Sequence, residues 1–283
     1  MINKVLFCIW VLTMLIFNTA LYAQQKTNVV GSFKKGEHTY QNTTLPYRLF
    51  IPDNYDSTIS YPMVFCLHGA GERGTDNERH IWKHELANAW AKTEVQTKYP
   101  CFVLAPQCPK VKKWNYVHFG KGTYSMDTLP VGNELLTALN LLDSILETYT
   151  IDMNRQYITG LSMGGYGTWD AISRYPQRFA AAVPMSGAGD PRKAPLFQNL
   201  PIWIFHNTND QIVPVSGSRD MVKAIENNGF KVIKTESAKP KIRNRNFKKT
   251  QYLYTESPKG NHGPWEPWYN SADLHRWLFK QVK

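Results

Sequence analysis

Gly160-Leu161-Ser162-Met163-Gly164 sets two glycines around a serine in the spacing G-x-S-x-G. That spacing suits a sharp turn from strand to helix with a hydroxyl exposed at its tip, because residues without a Cβ let both elements close on the turn. A serine hydroxyl is a poor nucleophile at neutral pH. It needs a histidine to accept its proton and a carboxylate to fix that histidine's tautomer. Together the three residue types can attack a carbonyl carbon and carry its acyl group on the serine. Ser162 is the candidate nucleophile.

The acid belongs in a loop after a late strand. Asp210 is so placed, in Asn207-Thr208-Asn209-Asp210-Gln211 after the apolar Ile202-Trp203-Ile204-Phe205. Asp190 competes, but it lies one strand earlier and precedes Pro191, which suits a turn. His262, in Lys259-Gly260-Asn261-His262-Gly263, follows the last predicted strand and is the candidate base. Charge developing on the carbonyl oxygen calls for two preorganised N–H donors. Met163, directly after the nucleophile, supplies one; Ala70, with Gly71 next in line, supplies the other from His68-Gly69-Ala70-Gly71-Glu72-Arg73-Gly74. His68 is read as shaping that loop and His206 as ending a strand. His80 and His84, four apart on a predicted helix, would share a face as metal-ligand pairs do, but no third ligand lies near, so no metal is expected.

Around these residues strands and helices alternate. Residues 37–41 and 45–51 read as a hairpin, and the continuous apolar runs 63–67 and 102–105 as strands covered on both faces, the mark of a parallel sheet. Residues 78–92 read as a helix. Residues 133–149 form the clearest helix, with Leu135, Leu136, Leu139, Leu142, Ile145 and Leu146 on one face at the 3.6-residue period. Strand 155–159 and helix 165–175 flank the serine turn. Strands 181–185, 202–206 and 251–255 and helices 215–228 and 272–280 follow. The pattern predicts an α/β fold with a mostly parallel central sheet and helices on both faces.

The chain has 283 residues, 42% hydrophobic and 19% charged, enough to bury a large core. Lys4, the apolar run 5–17 and the small residues Ala20 and Ala23 read as a secretory signal peptide over 1–23; an uncleaved anchor is the alternative, but the run is short for a span. One catalytic domain is expected over 24–283, secreted or periplasmic, with no stable membrane insertion once the signal is removed. Loss of Lys4 takes the net charge from +11 to +10, a balance that favours anionic partners, yet no nucleic-acid motif accompanies it. Eight cationic residues between 231 and 249 stand against one acid, Glu236, and read as a solvated loop or a patch for an acidic polymer. With residues 1–23 removed, Cys66, Cys101 and Cys108 leave an odd thiol: either Cys66 pairs with Cys108 or all three are buried thiols.

The His68–Gly74 loop, Ala105-Pro106-Gln107-Cys108, Gly160-Leu161-Ser162-Met163-Gly164-Gly165-Tyr166-Gly167-Thr168-Trp169, the Asp210 loop and Gly260-Asn261-His262 occur in one order. From about residue 45 onward the chain resembles secreted serine esterases of the dienelactone-hydrolase and prolyl-oligopeptidase-like branch, related to feruloyl and acetylxylan esterases. The resemblance implies an α/β-hydrolase fold, a Ser162-Asp210-His262 triad and hydrolase activity without metal or organic cofactor. Similar proteins usually have glycine where this chain has Asn207. The expected substrate is a small ester or an acylated oligosaccharide. Trp114, Tyr116 and Tyr124 on one long loop, and Trp265, Trp268 and Tyr269 after His262, are aromatic; Trp114 and Trp265 are the candidate substrate-binding residues, with rim packing as the alternative. A serine peptidase of the same branch and a non-catalytic surface binding protein are the competing functions.

Overall fold

A computed structural model describes residues 29–237 and 252–283. The expected signal peptide, and Lys239, Lys241, Arg243, Arg245, Lys248 and Lys249 of the basic stretch, lie outside the described residues.

Among the described residues nine strands form one sheet in the order β1-β2-β4-β3-β5-β6-β7-β9-β8. They are β1 (Lys34–Tyr40), β2 (Thr43–Phe50), β3 (Tyr61–Leu67), β4 (Phe102–Pro106), β5 (Ile151–Leu161), β6 (Ala181–Met185), β7 (Ile202–Asn207), β8 (Val232–Thr235) and β9 (Tyr252–Ser257). The first two make the expected hairpin, and β2 joins β4 antiparallel; every other pairing is parallel. Unalternating apolar runs become strands buried on both sides because successive side chains point to opposite faces. Met63, Phe65 and Leu67 enter one core with Leu135, Leu139 and Leu142 of helix Asn133–Thr148 and Trp169 of helix Met163–Arg174. Val64 and Cys66 enter the other with Trp90, Trp203, Trp268 and Trp277.

This division decides the cysteines. Cys66 belongs to one core and Cys108 to the other, so the sheet lies between them and no bridge forms; all three thiols are free and buried.

Two readings need correction. The helix expected over 78–92 is broken into single turns, Arg79–Trp82 and Asn88–Ala91, because His84 and Glu85 adopt φ of +61° and +58°. Part of the basic stretch read as a loop is instead strand β8, which pairs in parallel with β9 at the sheet edge. Among the described residues no helix is long and apolar enough to cross a membrane.

Candidate active site

The serine turn joins β5 to helix Met163–Arg174 at the carboxyl edge of the sheet. Ser162 has φ +53° and ψ −117°, a conformation that costs a residue with a side chain about 1–3 kcal/mol and is held here by its surroundings. One constraint is the Ser162 N–H bond to Met185 O at 2.9 Å. The flanking glycines are steric necessities: a Cβ on Gly164 would run into the Leu67 carbonyl, and one on Gly160 into that of Gly164.

Three side chains from three separate segments meet at this turn. His262 Nε2 lies 2.7 Å from Ser162 Oγ, and His262 Nδ1 lies 2.7 Å from Asp210 Oδ2. A carboxylate only accepts, so Nδ1 carries the hydrogen and Nε2 is left free to accept from the serine. Asp210 Oδ1 accepts from Ile212 N–H and Val213 N–H, each at 2.9 Å. Burial alone would raise this carboxyl; hydrogen bonds from His206, His262 and the Val213 N–H hold it well below the usual carboxylate range. Asp190, the competing acid, is taken up by Arg192 and Met126 N–H.

Met163 is the first residue of its helix, so its N–H has no intrahelical acceptor and lies beside the serine. Ala70 opens a short 3-10 turn, Ala70–Glu72, at the end of β3. Glu72 Oε2 accepts from Gly69 N–H at 3.0 Å, and Arg73 Nε donates to Ala70 O at 2.9 Å. His68 also braces this turn. Its Nδ1 donates to Gly69 O at 2.7 Å, while its Nε2 accepts from Cys108 N–H at 2.8 Å. Burial pushes the His68 imidazole down to about 4, so it stays neutral and keeps its acceptor at ordinary pH.

Trp114 does not face a substrate. It is 0% exposed, its indole donates to His68 O at 2.9 Å, and its ring packs edge-on against His68, so it supports the turn from beneath. Trp265 is 5% exposed and packs edge-on against His262 with centroids 5.1 Å apart; its indole donates to Ser186 Oγ at 3.1 Å. Trp268 and Tyr269 are buried in the core, whereas Tyr116 is exposed. His80 and His84 do not converge: His80 Nε2 donates to Ala105 O at 3.0 Å and His84 faces Glu266. Among the described residues no group of three or more His, Cys, Asp or Glu is placed to hold a metal ion.

Sequence reasoning missed two residues. Asn207 spans the histidine loop: its Nδ2 donates to Asn261 O at 2.9 Å and Gly263 O at 3.0 Å, the carbonyls on either side of His262. His206, read as a mere strand end, places Nε2 3.3 Å from Asp210 Oδ2. Its position four residues before the acid was the available signal.

The sheet order and the serine, histidine and aspartate at its carboxyl edge define an α/β hydrolase. The family model described as "Putative esterase" matches residues 39–271, and the chain belongs to that esterase family. A crystal structure of a thermostable esterase is similar with 37% identity and a TM-score of 0.78, over 90% of this chain and 64% of that one. A probable feruloyl esterase C of Aspergillus terreus is 24% identical over 65% of this chain and 62% of its own length. A bifunctional acetylxylan esterase/xylanase of Neocallimastix patriciarum is 34% identical over 26% of this chain. The chain thus spans 11% of that bifunctional enzyme and just under two thirds of the other two.

Proposed function

We propose that this protein is a serine carboxylesterase that removes acyl groups, of acetyl or feruloyl type, from carbohydrate through an acyl-enzyme on Ser162. The observation that carries the reading is the unbroken series Ser162 Oγ, His262 Nε2, His262 Nδ1, Asp210 Oδ2, with 2.7 Å at both contacts. In this reading His262 takes the serine proton as Oγ attacks the ester carbon. The C=O electrons move onto oxygen, which the N–H groups of Met163 and Ala70 stabilise. Collapse of the tetrahedral species expels the alcohol, protonated by His262. Water then repeats the sequence against the acyl-enzyme and frees the acid. Asp210 stays ionised throughout and holds the imidazolium.

Membership of an esterase family supports an ester rather than an amide as substrate. The carbohydrate portion is supported by similarity to proteins named as feruloyl and acetylxylan esterases. The reading includes export, with residues 1–23 as a cleaved signal peptide. Acetylated xylo-oligosaccharides and feruloylated arabino-oligosaccharides, tested beside acyl-peptide amides, check the substrate class. Release of acetate or ferulate with no peptide cleavage is expected; cleavage of the amides alone would contradict the proposal.

A further inference from the structure

His84 lies between the turn that follows β3 and the loop that follows β9. On one side is the oxyanion turn, where the Glu72 side chain, 3% exposed, fixes Gly69. The other Glu72 oxygen, Oε1, faces Lys83 Nζ at 3.3 Å and His84 Nε2 at 3.6 Å. On the other side is the loop that carries the base. His84 Nδ1 donates to Glu266 Oε1 at 3.0 Å, and Glu266 directly follows Trp265. The Trp265 ring contacts two imidazoles edge-on, His84 at 4.8 Å and His262 at 5.1 Å between centroids. Its indole, bonded to Ser186, stops it from sliding.

The backbone is bent to allow this. His84 and Glu85 are successive residues with side chains at φ +61° and +58°, each costing about 1–3 kcal/mol, and such strain persists only where its surroundings enforce it. The break in the expected helix falls at the residue that touches both loops.

We infer that His84 is a positioning residue that ties the oxyanion turn to the base loop and sets the span between the Ala70 N–H and the His262 imidazole. The inference rests on the esterase reading. Displacement of a catalytic group by about 1 Å costs on the order of 10²-fold in rate, so a loosened span acts on turnover more than on binding.

The test uses the full chain, p-nitrophenyl acetate and five proteins: wild type, Ser162→Ala, His84→Gly, Glu266→Gln and Glu266→Ala. Glycine removes the bridge yet suits φ +61°, so His84→Gly is expected to melt no lower than wild type. Its kcat should fall about 10- to 100-fold with KM within about twofold. Glu266→Gln keeps an oxygen for His84 and should stay within about threefold of wild type, whereas Glu266→Ala should fall as His84→Gly does. Wild-type kcat in His84→Gly, a rise in KM alone, or a loss that follows only the melting temperature would overturn the inference while leaving the esterase reading intact. Wild-type turnover no greater than that of Ser162→Ala would overturn the esterase reading, and this inference with it.

Discussion

His206 and His262 share one oxygen of Asp210: Oδ2 lies 3.3 Å from His206 Nε2 and 2.7 Å from His262 Nδ1. His206 is itself fixed, with Nε2 donating to Val213 O at 3.1 Å and Nδ1 2.7 Å from Ser218 Oγ. A carboxylate so surrounded cannot rotate away from His262.

Replacing His206 by alanine should therefore lower kcat about tenfold with little change in KM, since the lost bond acts on the orientation of His262. His206→Gln, which keeps an N–H donor, should recover most of that loss. Steady-state kinetics of both variants, normalised to folded protein by thermal melts, checks this.

Asn207→Ala leaves the carbonyls of Asn261 and Gly263 without their donor. At about 1 kcal/mol per hydrogen bond, with more where the orphaned group is buried, the fold should lose about 1–3 kcal/mol. Under the proposed mechanism activity should fall as well, because those carbonyls flank His262. Denaturant midpoints and kcat measured together separate the two effects.

Trp114→Phe tests the structural role assigned to that indole. The loss of its bond to His68 O should destabilise the protein by about 1 kcal/mol. KM for any sugar ester should be unchanged. A selective rise in KM for aromatic or glycosyl esters would return Trp114 to the substrate surface.

Stability should fall as pH drops below about 6.5. Burial depresses His68 to about 4 and lowers His80 and His275 as well, so the unfolded chain takes up protons at these positions before the folded one does. A depressed histidine gives stability that is complete above the unfolded pKa and is lost as pH falls toward the folded one. For His68 this amounts to about 3 kcal/mol across the window from 6.5 to about 4. Urea midpoints between pH 4 and 8 should show the fall, and His68→Gln should flatten it.

The sheet, the serine turn and the meeting of Ser162, Asp210 and His262 are legible because each leaves a local mark: apolar runs, flanking glycines, loops after strands. The supports are not, because they arise only when distant segments meet. Nothing local tells that Asn207 will grip the carbonyls around His262, or that the indole of Trp114 will turn inward beneath His68. Residues 78–92 have helical composition, and no glycine announces the left-handed pair at His84 and Glu85. Strand β8 is four residues long, and the cations around it masked its apolar Val232 and Ile233.

Whether Ser162 is the nucleophile of an ester hydrolase is decided by hydrolysis of p-nitrophenyl acetate by the purified chain beside a folded Ser162→Ala variant. Turnover by the wild type and a loss of about 10⁴-fold or more in the variant are expected. Equal rates in two folded proteins would rule the nucleophile out.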